Sequence, residues 1–191
     1  MNTESNAEDI GIIIKVLGKD KEAFAALVDK YKNPVYNLAF RMTGSRFDAD
    51  DVAQEAFVKA YRNLKSFRQE LSFFSWLYTI ALNAARNWLK ARKTPAGGLG
   101  PEGIADSKPG ADAKMSSDQE ITGMLGILPE KYRAAFVLKH LENYTCEEIS
   151  QMLKCPAGTV RVRIHRAKQM LYERFNQFHL RGGTGIYRGL K

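Results

Sequence analysis

Residues 94–117, TPAGGLGPEGIADSKPGADAKMSS, constrain this chain more than any other stretch. They hold three of the six prolines and five glycines, with almost no large apolar side chains. Such a segment buries too little surface to offset the entropy of ordering its backbone, so it reads as a flexible tether. The 191 residues therefore divide into a block at 1–93, the tether at 94–117, a second block at 118–178, and a Gly-rich tail at 179–191 that reads as disordered. There are no internal repeats.

Both blocks read as helical, because no segment sustains the period-two alternation of a strand. In the first, a short apolar stretch at 9–17 stops at Gly18, and Asp20 is placed to cap a helix with Phe24, Leu27, Val28 and Tyr31 on one face. Pro34 is expected to break or kink that helix, and its continuation through Leu38 and Met42 ends at Gly44. Asp48 is expected to cap the next helix, running to about Leu64, and a long helix follows from about Ser72 to Arg92. The second block opens on Ser117-Asp118-Gln119-Glu120, a capping-box pattern, and Pro129 suits the first position of a helix carrying Tyr132, Phe136, Val137 and Leu141. The fold class is all-α: two small helical domains on a flexible linker.

Charge narrows the partners. With 29 Lys and Arg against 21 Asp and Glu, the chain carries a formal charge of +8. The first block has 15 basic and 11 acidic residues, the tether 2 and 3, and residues 118–191 have 12 and 7. A basic excess of this size suits a polyanion such as nucleic acid or an anionic membrane surface, and on composition alone simple solubility charge stands equal to it.

The sharpest local pattern lies between Thr145 and Leu171. Thr145-Cys146-Glu147-Glu148 is a second capping box, opening a short helix to Leu153 that turns inward Ile149, Met152 and Leu153. After a turn at Lys154-Cys155, Pro156 starts a helix to about Phe178, on which Val160, Ile164, Ala167 and Leu171 share one stripe. Its other face presents Arg161, Val162, His165, Arg166 and Gln169, with Thr159 at its start and Arg163 and Lys168 flanking the stripe. Two helices on a short turn, the second basic, form a helix-turn-helix whose reader enters the major groove. Arginines there bond guanine edges or phosphates, and Val162 suits a thymine methyl.

The first block offers two further surfaces. On the 48–64 helix, Val52, Ala53, Ala56, Phe57, Ala60 and Tyr61 form an apolar side, opposite Asp51, Gln54, Glu55, Val58, Lys59 and Arg62. That mixed face suits either solvent, laced by i,i+4 pairs such as Glu55 to Lys59, or a protein partner. The aromatic-rich stretch 66–78 is followed by Asn83, Arg86, Asn87, Lys90, Arg92 and Lys93. Aromatics interleaved with cations suit unpaired bases. Trp76, Leu77 and Ile80 read as core, whereas for Phe67 and Phe73 core and base platform stand equal.

Together these segments resemble a sigma factor of the bacterial sigma-seventy family, in its extracytoplasmic-function group. The carrying residues are DADDVAQEAFVKAYRNLKSF (48–67), SFFSWLYTIALNAARNWLKARK (72–93) and LPEKYRAAFVLKHLENYTCEEISQMLKCPAGTVRVRIHRAKQML (128–171). The resemblance implies that Asp51, Gln54, Glu55, Val58, Lys59 and Arg62 dock on the clamp helices of core RNA polymerase. It implies that Phe67, Arg68, Phe73, Trp76 and Asn83 open the downstream promoter box and capture a base, with Arg86, Asn87 and Lys90 near its DNA. Thr159, Arg161, Val162, Arg163, His165, Arg166 and Gln169 would then read the upstream box. It also implies an inhibitory anti-sigma factor, anchored in the membrane in some cases, and a cytoplasmic protein with no cofactor and no small-molecule substrate. Two positions depart from the family pattern: Lys154 stands where glycine or a small polar residue is usual, and Val162 where a small hydroxyl residue is common.

Rival classes find little support. A stand-alone dimeric regulator would need a dimerisation or ligand domain, and a sigma-like decoy would lose the basic face. An enzyme would need a phosphate-cradling glycine loop, a nucleophile elbow or paired carboxylates, and none is legible. Cys146, Cys155, His140 and His165 lack the paired spacing of a zinc site. Two cysteines without framework spacing suit a reducing compartment, and no apolar run reaches the roughly 20 residues of a membrane span.

Overall fold

A computed structural model of the chain describes residues 3–68, 72–93 and 117–180. Among these residues every regular element is helical: α1 (Thr3–Leu17), α2 (Phe24–Thr43), α3 (Arg46–Asn63), α4 (Phe73–Lys93), α5 (Ser117–Gly126), α6 (Glu130–His140), α7 (Cys146–Leu153) and α8 (Ala157–Leu180). A single 3-10 turn, Leu64–Ser66, follows α3. The expected tether lies outside the described residues except for Ser117, and the tail lies outside them beyond Leu180. The described residues fall into two compact units, one up to Thr122 and the other from Gly123 onward.

In the first unit α2, α3 and α4 pack mutually, and α1 lies against α2 and α4. The spacing of apolar residues dictates this: Leu27, Val35, Leu38 and Met42 on α2, Val52 and Ala56 on α3, and Leu77 and Leu82 on α4 are all fully buried. Each buried Leu or Val contributes about 1.5–3 kcal/mol relative to exposure.

Four local expectations change. First, α1 begins at Thr3, well before the expected apolar stretch, because its polar first turns are held by side-chain bonds to α2. Second, α2 runs unbroken through Pro34. Proline deprives the helix of one backbone bond, at a cost of about 3 kcal/mol in an isolated helix. Here burial of Tyr31, Val35 and Leu38 on both sides keeps the segment helical, and Tyr78 Oη of α4 donates to the Pro34 carbonyl at 3.3 Å. Third, Ser45 rather than Asp48 caps α3: the Ser45 hydroxyl accepts from Asp48 N–H at 3.3 Å, leaving the Asp48 carboxylate for Arg92 of α4 at 2.9 Å. Fourth, the inward face of α6 is Arg133, Ala134, Val137 and Leu138, while Tyr132, Phe136 and Leu141 are half-buried. As expected, Gly44 ends α2 at φ 83, a left-handed position that favours glycine.

In the second unit α6, α7 and α8 pack mutually around Leu138, Ile149, Val160 and Ala167. Arg133 is buried with them. Its guanidinium donates to the carbonyls of Gly126 and Leu128, at 2.8 and 3.1 Å, tying the turn before α6. Burial pulls its pKa down to about 10, partly countered by Glu130, so it stays charged at neutral pH.

Candidate nucleic-acid interface

The C-terminal site is assembled by caps. Thr145 Oγ1 accepts from Glu148 N–H at 3.2 Å and Glu148 Oε2 accepts from Thr145 N–H at 2.8 Å, the reciprocal bonds of a capping box. At the other end of α7, Lys154 takes φ 49 and ψ 50, a left-handed conformation. The Lys154 and Cys155 amides donate to Gln151 and Ser150 carbonyls, closing the turn and sending α8 off at its angle.

On α8 the stripe falls as the spacing requires. Val160, Ile164 and Ala167 are buried and Leu171 half-buried, while Arg161, Val162, His165, Arg166, Lys168 and Gln169 are exposed. Thr159 and Arg163 sit half-buried at the edges. Val162 is 58% exposed, which is unusual for valine and leaves its methyls available to an apolar contact. Arg161 is not wholly unengaged: Nη2 meets Glu147 Oε1 of α7 at 3.2 Å. Both groups are solvent-exposed, where such pairs contribute about 0–1 kcal/mol, so a phosphate or base edge readily displaces the carboxylate. The sequence did not suggest this pairing. Gln169 Nε2 similarly donates to Glu173 at 3.1 Å.

Beside the reader, Lys139, His140, Cys146, Arg161, Ile164, His165 and Lys168 line a shallow open pocket of about 250 Å³. The His140 ring packs on Phe136, and partial burial together with the charges of Lys168 and Lys139 holds its pKa below the ordinary value. Both cysteines are free, and among the described residues no group of His, Cys, Asp or Glu is arranged to hold a metal.

In the first unit, α3 turns Asp51, Gln54, Glu55, Val58 and Arg62 to solvent, with Lys59 half-buried and ion-paired to Glu55. Val58, 47% exposed, sits amid these charges as an apolar centre. Tyr61, expected on the apolar side, is partly exposed and meets Phe24 edge-on at 5.1 Å.

The aromatic segment resolves what the sequence left open. Phe73 is fully buried, between Tyr31 and Trp76 and edge-on to Phe67, with ring centroids at 5.9, 5.8 and 5.7 Å. It therefore belongs to the core. Trp76 and Phe67 are half-buried against each other at 5.4 Å, so each keeps an accessible edge. Arg68, Asn87 and Lys90 are exposed, and Asn83 and Arg86 half-buried, along α4 and its approach. Arg92 stacks over Trp88 at 4.5 Å while pairing with Asp48.

Beneath this segment lies a polar cluster that sequence reasoning missed. Asp9 is buried, its Oδ1 2.6 Å from Lys30 Nζ and its Oδ2 accepting from the Tyr31 hydroxyl. Lys30 also meets Glu8 at 3.0 Å and the Ser5 carbonyl at 3.2 Å. Burial works against the Lys30 ammonium, but hydrogen bonds to Asp9 and Glu8 outweigh it and raise its pKa. Burial and the bond to Asp9 push the Tyr31 phenol up to about 12, so it remains a donor.

A helix-turn-helix with a solvent-facing basic reader, on the same chain as a helical unit bearing a mixed-charge face and an aromatic segment, defines a DNA-binding transcription factor. Comparison with known proteins makes the class specific. Residues 27–94 match the sigma-70 region 2 family and residues 118–171 the sigma-70 region 4 family. The chain is 38% identical over 176 residues to the ECF RNA polymerase sigma-E factor of Haemophilus influenzae, covering 85% of this chain and 93% of that one. It is 39% identical over 165 residues to the ECF RNA polymerase sigma factor SigW of Bacillus subtilis, covering 80% and 88%. The structure of CnrH in complex with the cytosolic domain of CnrY superposes at TM-score 0.63 with 23% identity, over 87% of this chain and 96% of that one. This chain belongs to the sigma-70 family, in the extracytoplasmic-function group. It is an alternative RNA polymerase sigma factor directing promoter-specific transcription, an initiation factor rather than an enzyme.

Proposed function

We propose that the two units divide initiation between them. The second unit anchors on duplex DNA at the upstream box through Thr159, Arg161, Val162, Arg163, His165, Arg166 and Gln169. The first docks on the polymerase clamp through Asp51, Gln54, Glu55, Val58, Lys59 and Arg62. Its aromatic segment, with Phe67, Arg68, Trp76 and Asn83 at the surface and Arg86, Asn87 and Lys90 alongside, opens the downstream box and holds an unpaired base. Phe73 acts from beneath, as packing. Joining the two sites through residues 94–117 turns the second binding event into an intramolecular one, so that weak contacts become specific together on the enzyme.

The observation that carries this reading is the reader helix: a capped helix-turn-helix whose α8 buries Val160, Ile164 and Ala167 and exposes Arg161, Val162, His165 and Arg166. An anti-sigma protein that covers these surfaces, held at the membrane in some systems, keeps such a factor inactive in the cytoplasm. No helix among the described residues is long and apolar enough to cross a membrane, so membrane retention would rest on that partner.

Run-off transcription with sigma-free bacterial core polymerase on a promoter library tests the scheme. Transcripts starting at defined sites only when this protein is added support it. Duplex binding with nanomolar specificity but no transcripts from its own species' core would replace it with a stand-alone regulator.

A further inference from the structure

The start of α4 is held from a distance of 67 residues: the Phe73 N–H donates to Asn6 Oδ1 of α1 at 3.3 Å. The first N–H groups of a helix have no partner within it. Here Ser72 Oγ accepts from Ser75 N–H at 3.2 Å in the ordinary capping manner, and Asn6 takes the Phe73 amide that the local cap leaves over. One turn along α1, Asp9 holds Tyr31, whose ring meets Phe73 at 5.9 Å and Phe74 at 5.3 Å. Phe73 in turn touches Phe67 and Trp76, both of which keep an open edge.

From this continuous chain of contacts, we infer that Asn6 and Asp9 of α1 are positioning residues for base capture, fixing the start of α4, which carries Trp76 and whose Phe73 packs against Phe67. The inference rests on the base-capture reading above. The geometry supports it in two ways. Asp9 is buried on the face of α1 that also buries Ile13 and Val16, with Ile10 and Ile12 half-buried, while Ile14 and Leu17 on the outer face are exposed. The polar, directional bonds of α1, from Ser5, Asn6 and Asp9, lie at the end nearest the aromatic segment. A stacking edge is useful only at a defined distance and tilt, and the Asn6 and Asp9 bonds define both.

The test uses holoenzyme reconstituted with the full chain and a single-stranded oligonucleotide carrying the downstream box, intact or with the captured base removed. Wild-type holoenzyme should lose about tenfold in affinity when the base is absent, the scale of one stacked base. Asn6→Ala and Asp9→Asn should bind the intact strand about tenfold more weakly and become indifferent to base removal, while assembling with core as wild type does. Asn6→Asp, which keeps the acceptor at the Phe73 amide, should restore base dependence. If both weakened variants keep the wild-type dependence on the base, the positioning role is overturned while base capture stands. The role is overturned equally if they fail only by losing core assembly, with base dependence intact in the holoenzyme that forms. A wild-type holoenzyme indifferent to base removal would sink the base-capture reading, and this inference with it.

Discussion

Lys154 shows how one residue sets the geometry of a reader. Its φ of 49 lies in the left-handed region, where a side chain costs roughly 1 kcal/mol that glycine avoids. Glycine also loses more chain entropy on folding, so Lys154→Gly should stabilise the second unit by only about 0.5 kcal/mol. On a unit of this size that is a rise of about 2–4 °C in melting temperature, with the turn unchanged. A lower melting temperature would mean that the lysine stem contributes packing beyond the turn. His140 makes a second prediction at this scale. Its folded pKa lies below the unfolded value near 6.5, so the unfolded state binds more protons as pH falls. The stability tied to a neutral His140 is complete above about 6.5 and is lost as pH drops through the folded value. The charges of Lys168 and Lys139 beside it reinforce that direction. Melting curves between about pH 7.5 and 5.5 should show the second unit losing stability on acidification, and less so in His140→Gln.

Among elements, α7 depends most on its cap. It is eight residues long, below the length at which an isolated helix persists, and it buries only Ile149, Met152 and Leu153. Thr145→Ala removes the acceptor for Glu148 N–H and should cost about 1 kcal/mol, read as a lower melting temperature together with weaker upstream-duplex binding. Unchanged DNA affinity would show that α8 reads without its neighbour. What was legible in the sequence follows from how local each cause is. The capping box needs four consecutive residues, and the α8 stripe is one helical period, so both could be read directly. Ser45 and Asp48 are both good caps, and the choice turned on Arg92, 44 residues on, drawing the Asp48 carboxylate away. Pro34 lies within a helix because Tyr31, Val35 and Leu38 around it are buried and Tyr78 of α4 reaches its carbonyl, which no window of neighbours reveals. In sequence Phe73 is as available to a base as Phe67, and only the packing of Tyr31, 42 residues back, separates them, while nothing near Asn6 advertises a bond to α4.

For the whole molecule, charge separates two kinds of attachment. The exposed face of α3 balances Asp51 and Glu55 against Lys59 and Arg62, whereas α8 exposes Arg161, Arg166 and Lys168 with Glu173 as the one acid between Lys154 and Arg174. Counterion release makes DNA contacts steeply salt-dependent, at a log–log slope near −0.9 per phosphate. Raising salt from about 50 to 200 mM should then weaken upstream-duplex binding by about 40-fold for three phosphate contacts, while assembly with core changes little. Anisotropy titrations of both equilibria decide this, and a core affinity that falls in parallel would refute the balanced-face account. The brevity of α7 also bears on time. A helix that contributes three side chains to the core and leans on one cap opens on its own, without the unit unfolding, so its amides should exchange with deuterated solvent sooner than those of α6 or the middle of α8. Promoter DNA that engages the closed reader should slow that exchange, making α7 amide protection a measure of how fully the reader is occupied.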